Sequence, residues 1–470
     1  MERLKPMDAQ FIDAEDQDAN ASFAIASIAI FGGPPPSYEE FLRSIQRRLP
    51  DVPIYRRKLR TVPFRLGPPV WVDDPDFDLR YHVRQTALPP PGRDNELRAL
   101  VARVMAQRLD RDYPLWEYWL VQGLSDQRWA LVSKMHHAMV DGVSGTDLYR
   151  VILDATPETA PSATDISRVG SPPSALWLTT QAAVNMMLLP AKTALALASA
   201  AAQPERSVRQ LRQTAHAAAK LTAGTWPAAI SSLSGPIGRQ RRYAWARASL
   251  TDVKDVKRAL GGTVNDVVLA AISSGFRALL INRCENPKPH MVPSLIPVST
   301  RASGEQSIYE NRVSLLVADL PVHIADPVER LEFIKAEISE LKAVKQATAA
   351  EALIALGRFT PYPIASRIVR LAYRLPQHGI VTVTTNVPGP PVPLYCLGRK
   401  LVELIPYVPI ATTLRTGVSI FSYCDQLTFG ITADYASTPD IDVLAHGIES
   451  GVLELRKAAK AAASSARPVR

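Results

Sequence analysis

The period of the hydrophobic pattern changes along this chain in a repeated order, and that order constrains the fold more than any other feature. Within residues 1–155, strand-like runs alternate with amphipathic helices. Ser37-Tyr38-Glu39-Glu40 reads as a capping box opening a helix, with Phe41, Leu42, Ile45 and Leu49 on one face. A second helix, from Asn95 to Leu109, lines up Leu97, Leu100, Val101, Val104, Met105 and Leu109. Between Tyr118 and Met135, two apolar runs flank the polar Ser125-Asp126-Gln127, the signature of a hairpin. The same alternation resumes over residues 241–456. There the pattern predicts helices from Thr263 to Ile281 and after the Asp326-Pro327 cap. Strand-like runs occur at Leu295–Val298, Val313–Leu320, Ile380–Thr385, Gly417–Tyr423 and Leu427–Asp434. Two α/β blocks within 470 residues, similar in pattern but not in sequence, predict two domains or one pseudo-duplicated unit.

The intervening residues, 156–240, behave differently. Pro161, Pro172 and Pro173 mark a connection. An Ala/Leu-rich stretch from Ala175 to Ala202 follows, interrupted by Gln181, Asn185, Pro190 and Lys192, so it offers no continuous apolar span of membrane-crossing length. It reads as a crossover helix packed on the protein or as an interfacial helix at a lipid headgroup layer. The net charge of +9 is concentrated here: residues 171–250 hold nine Lys and Arg against Glu205 alone. Such a bias attracts anionic lipid or a phosphorylated substrate. Nucleic acid is not expected, because the charges are interspersed with Ala and Leu and no nucleic-acid-binding signature accompanies them. The scattered Cys284, Cys396 and Cys424 form neither a disulfide framework nor a zinc cluster, so a reducing cytosol is expected. Met1–Pro6 lead into no signal-peptide-like apolar core, which fits the same expectation.

The sharpest chemical signal is Met135-His136-His137-Ala138-Met139-Val140-Asp141-Gly142. Adjacent histidines at the end of a strand point to opposite faces, so only one can face a given cavity. An imidazole titrates near neutrality and suits general-base work. Asp141 follows in a turn that Gly142 permits, where its carboxylate could orient the imidazole or bind an arginine. A metal is not expected, since adjacent strand histidines do not converge on one ion. A serine hydrolase is disfavoured because no Gly-x-Ser-x-Gly elbow occurs in the chain.

His-His-x-x-x-Asp-Gly resembles the signature of the chloramphenicol acetyltransferase-like acyltransferase superfamily. Further motifs are similar to those of bacterial wax ester synthase/diacylglycerol acyltransferases: Pro6-Met7-Asp8-Ala9-Gln10-Phe11, Pro114-Leu115-Trp116 and Thr263–Ala270 with Asn265-Asp266. Pro297–Arg301, Asn311-Arg312-Val313, Asn386–Pro390 and Phe429–Asp434 continue the likeness in the same order. Ser234-Gly235 and Thr385 depart from the usual residues beside two of these motifs, outside the histidine box.

The resemblance implies an α/β fold of two chloramphenicol acetyltransferase-like domains, each a mixed sheet with flanking helices, with an active-site channel between them. The expected divisions are 1–155, carrying the histidine box; 156–240, a helical crossover; 241–456, the second half; and 457–470, a disordered tail. It further implies an acyl-CoA-dependent O-acyltransferase using diacylglycerol, with a long-chain alcohol as the other acceptor. His137 would be the base, supported by His136 and Asp141, with Gly142 in the turn and Arg301 pairing with Asp141. Asn265 and Asp266 would border the site, or simply cap their helix, and Pro114, Leu115 and Trp116 would shape an acyl tunnel or lie in the core. Acyl-CoA enters as substrate, and no cofactor is expected. The expected location is cytoplasmic, peripheral to the inner membrane or lipid droplets. The neighbouring alternatives are an enzyme using carrier-protein thioesters or polyketide alcohols, and a non-catalytic lipid-binding homologue.

Overall fold

A computed structural model describes residues 2–142, 151–158, 174–188, 232–287, 292–299, 313–343, 362–364, 366–367, 370 and 380–465. Two six-stranded mixed sheets form the body, with a three-stranded sheet beside the first. The small sheet joins β1 (Glu2–Arg3), β4 (Val70–Asp73) and β3 (Arg57–Arg60). The first large sheet contains β2 (Ala24–Gly32), β5 (Val83–Ala87), β6 (Trp116–Leu124) and β7 (Arg128–His136). The second contains β8 (Arg241–Ser249), β9 (Val292–Ser299), β10 (Val313–Leu320), β11 (Thr382–Val387), β14 (Thr416–Tyr423) and β15 (Gln426–Asp434).

The two sheets share a plan. In the first, β5 runs parallel to β6, which turns back as β7, which pairs antiparallel with β2. In the second, β11 runs parallel to β14, which turns back as β15, which pairs antiparallel with β8. The similar alternation of the two sequence blocks therefore reflects a similar strand plan. The β6–β7 hairpin turns at Ser125–Gln127, with Asp126 and Gln127 both at positive φ, as its short polar loop requires.

The division of the chain near residue 240 is not kept in three dimensions. β12 (Tyr395–Cys396) and β13 (Arg399–Tyr407), which the sequence places in the second block, extend the first sheet, with β13 antiparallel to β2. Alternating apolar residues announce a strand, but they do not say which sheet will accept its edge. Ion pairs fix the exchange: Arg399 reaches Glu40 at 2.6 Å, and Arg247 on β8 reaches Glu403 at 2.6 Å. Tyr243 Oη also donates to Pro406 O at 2.7 Å.

Helices cover both sheets: α1 (Pro6–Gln17), α2 (Tyr38–Arg48), α3 (Leu79–His82), α4 (Asp94–Ala106), α5 (Ala175–Met187), α6 (Leu250–Leu260), α7 (Val264–Asn282), α8 (Pro327–Ala343) and α9 (Ile441–Ser465). Ser37 caps α2 by accepting from Glu40 N, but the Glu40 carboxylate turns to Arg399, so only half of the expected capping box forms. Asp326 caps α8 through Val328 N and Glu329 N as expected, and Leu331, Ile334 and Ile338 are buried. α7 is long and apolar enough to span a membrane, yet here it packs within the second core against α9. Gly275 and Gly447 let these helices meet: a Cβ at Gly275 would lie 2.8 Å from Leu444 O. The tail expected to fray from 457 is instead helical through Ser465, because Leu455 and Ala459 continue the buried stripe of α9. Within 156–240, α5 packs Leu178 and Ala182 against Val70 and Val72 of β4 and Val62 in the loop that follows β3. The remainder of the Ala/Leu stretch, from Leu189 onward, lies outside the described residues.

Candidate active site

β7 ends at His136, and His137 opens a 3-10 turn that runs to Gly142. Strand alternation separates the two rings as expected. His136 is 2% exposed, whereas His137 is half-buried. The backbone at this point is tied on three sides: His136 N donates to Leu115 O at 2.9 Å, His137 N to Phe23 O at 2.9 Å, and Ala138 N to His136 Nδ1 at 3.1 Å. Because His136 Nδ1 accepts, the opposite nitrogen, Nε2, is the one turned toward Glu15, 3.4 Å from its Oε1. The His137 ring packs against Phe11 of α1, with centroids 4.2 Å apart.

Glu15 was not apparent from the sequence. Its Oε1 accepts from Phe23 N at 2.8 Å, and its Oε2 accepts from Arg111 Nη2 at 2.9 Å. Burial alone would raise its pKa, but His136, Arg111 and the Phe23 N–H together hold the carboxyl at about 2. α1 carries Asp8, Asp13, Glu15 and Asp16 and no basic residue, and all but Asp16 are buried. Acids on the inward face of a helix require cations from elsewhere, and that is the one sequence signal that could have pointed to Arg111.

Lys134, two residues before His136 on β7, is also buried. Its ammonium donates to Val104 O at 2.9 Å and Gln107 O at 2.7 Å, capping the end of α4, and burial pulls its pKa down to about 8. It is spent on structure. Among the described residues, no three His, Cys, Asp or Glu side chains gather as a metal site.

The connector between α1 and β2 joins this site to the second half of the molecule. Asn20 Nδ2 donates to Ile237 O at 3.0 Å, Arg241 donates to Asn20 O, and Thr412 N donates to Asp18 Oδ2 at 3.2 Å. Phe23, which receives His137 N, lies three residues further along the same connector.

The wax ester synthase/diacylglycerol acyltransferase catalytic domain matches residues 4–268, histidine turn included, and the C-terminal domain of that family matches residues 309–456. The chain belongs to this family. It is an acyltransferase. A probable diacylglycerol O-acyltransferase of Mycobacterium tuberculosis, tgs1, is 42% identical over 97% of this chain and 96% of its own length. A putative diacylglycerol O-acyltransferase of the same organism is 32% identical over 97% of this chain and 91% of its own. The solved wax ester synthase/diacylglycerol acyltransferase of Marinobacter aquaeolei VT8 superposes with a TM-score of 0.68 at 26% identity, covering 98% of this chain and all (100%) of that one. A condensation domain of the calcium-dependent antibiotic synthetase shares the fold, at TM-score 0.61 and 15% identity over 97% of this chain and 96% of its own.

The other family motifs now have positions. Leu115 and Trp116 are fully buried; Trp116 Nε1 donates to Tyr55 O at 2.8 Å, and its ring stacks on His82 at 4.5 Å. The indole is core, and the motif serves the site through Leu115 O, which receives His136 N. Asp266 forms the reciprocal cap of α7, accepting from Thr263 N at 2.7 Å while Asp266 N donates to Thr263 Oγ1 at 3.2 Å. Asn265 Oδ1 accepts from Asn386 Nδ2 at 3.3 Å, which brings the Asn-Asp and Asn-Val-Pro-Gly-Pro motifs together. In the latter motif, a side chain at Gly389 would collide with the Ser422 carbonyl. The Asp141 side chain and all of Arg301 lie outside the described residues, as do Thr300, Asn311 and Arg312.

Proposed function

We propose that this protein moves a long-chain acyl group from acyl-CoA to diacylglycerol, forming triacylglycerol, with long-chain alcohols as a second class of acceptor. The observation that carries this reading is the division of labour at the end of β7: His136 is buried and committed to the fold, while His137 is only half-buried, on a backbone tied at Phe23. His137 removes the acceptor hydroxyl proton as that oxygen attacks the thioester carbonyl. The C–S bond then breaks, and the same imidazole returns the proton to the departing CoA thiolate, leaving an ester and free CoA. The sequence at Asp141 and Arg301 supports a bracing ion pair across the channel, by analogy with the superfamily.

Apolar acceptors reside in lipid, so the enzyme must meet a lipid surface. α5 supports that part of the reading, since Leu176, Val184 and Met187 are exposed, Met187 to 80%, and Phe64 in the adjoining turn is 88% exposed. The proposed location is therefore cytoplasmic and peripheral, at the inner membrane or a lipid droplet.

The test is purified protein with long-chain acyl-CoA and a panel of acceptors, following free thiol. Release that depends on diacylglycerol, and a loss of about 10²-fold or more in His137→Ala with the circular dichroism spectrum unchanged, are expected. Thiol release with carrier-protein thioesters only, or a fully active His137→Ala, would overturn the reading.

A further inference from the structure

We infer that Glu15 is a positioning residue for His137, holding the backbone on both sides of the base, and that Phe11 completes the clamp on the ring itself. The inference rests on the reading of His137 as the general base. From one carboxylate, two short routes lead to the turn. Glu15 Oε1 accepts from Phe23 N at 2.8 Å, and the carbonyl of that residue accepts from His137 N at 2.9 Å. The same oxygen faces His136 Nε2 at 3.4 Å, and the opposite nitrogen of that ring accepts from Ala138 N at 3.1 Å. The residues immediately before and after His137 are thus referred to one anion. Four residues earlier on α1, one helical turn away and on the same face, Phe11 lies against the His137 ring.

The anion is itself anchored. Arg111 binds Glu15 Oε2 at 2.9 Å and Asp16 Oδ1 at 2.5 Å, and Arg108 Nε donates to Ala21 O at 2.8 Å in the connector. Glu15 does not touch the reacting atoms, since it is 2% exposed and both its oxygens are engaged. Its effect must pass through the position of the imidazole. A base displaced by about 1 Å can lose on the order of 10²-fold in rate without losing substrate affinity. Losing the clamp should therefore lower kcat and spare KM.

The experiment compares Glu15→Gln, Glu15→Ala, Phe11→Leu and Phe11→Ala in the full chain, with long-chain acyl-CoA, diacylglycerol vesicles and thiol detection. Glutamine keeps an acceptor for Phe23 N but loses the charge, so kcat should fall in the order wild type, Gln, Ala, with Ala down by about tenfold or more. KM for acyl-CoA should stay within about twofold in every variant that folds. Phe11→Leu should recover most of what Phe11→Ala loses. If Glu15→Ala does not fold, Glu15→Gln and the Phe11 pair decide: wild-type kcat in all three overturns the inference. So does a loss shared equally between KM and kcat, which marks a role in stability alone. An inactive wild type or an active His137→Ala sinks the underlying reading instead. Active wild type, inactive His137→Ala and indifferent Glu15 and Phe11 variants sink only the clamp.

Discussion

Replacing Glu15 with Gln should make the stability of this protein less sensitive to acid, in a predictable window. The carboxyl titrates at about 2 when folded against an ordinary 4.5, so its ionised form favours the folded state by about 3 kcal/mol at neutral pH. The sign follows from the depressed value: this stability is complete above the unfolded pKa and is lost as pH falls toward the folded one. At about pH 3.5 the unfolded carboxyl is mostly protonated and the folded one is not, so about 1.4 kcal/mol has gone. Glutamine does not titrate. The difference between wild type and Glu15→Gln should therefore shrink by that amount between about pH 6.5 and pH 3.5, measured by urea unfolding at each pH. Common acid effects from the remaining carboxylates cancel in the difference. Two stability curves that stay parallel within about 0.3 kcal/mol would refute the linkage of Glu15 to His136, Arg111 and Phe23.

Other outcomes follow from the same contacts. Arg48 holds both carboxylate oxygens of Asp154 at 2.7 Å, and both side chains are nearly buried, so Asp154→Ala should destabilise by about 3–5 kcal/mol, while Arg48→Met with Asp154→Leu should cost less in a thermal or urea melt. Gly389→Ala should cost about 1–3 kcal/mol or more by displacing Ser422 and Phe421, whereas Gly33→Ala, with open space around its Cβ but a positive φ, should cost about 1 kcal/mol; differential melting separates the two. Leu176→Asp with Met187→Asp should reduce flotation with diacylglycerol-containing anionic liposomes and leave the melting temperature within about 2 °C; unchanged flotation would remove α5 from the lipid surface.

Much of the scaffold was legible because its local rules are short-ranged. The Ser37, Thr263 and Asp326 caps formed where their residues predicted. The alternation of the histidine pair put the two rings on opposite faces, since a strand decides this with a period of two, and the fold then buried His136 and left His137 half-buried. Asp266 shows the limit of a motif. Its capping bond to Thr263 is local, and the sequence carried that reading alongside the functional one without choosing between them. Trp116 is similar, since the residues that enclose it, Tyr55 and His82, are distant in sequence.

The sequence by itself determined the capped helices, the β6–β7 hairpin, the order of the two α/β blocks and that the two histidines face opposite ways, because caps, turns and strand alternation act over a few residues. Only the tertiary structure decided that β13 leaves its block to join β2, since any strand edge of suitable pattern could have accepted it. The same holds for the clamp on His137. Glu15, Phe23, Arg111 and His136 are spread along the chain from residue 15 to residue 136, and no spacing announces them. They meet because α1 packs against the turn that follows β7, where a buried carboxylate is stable only if the fold delivers its partners.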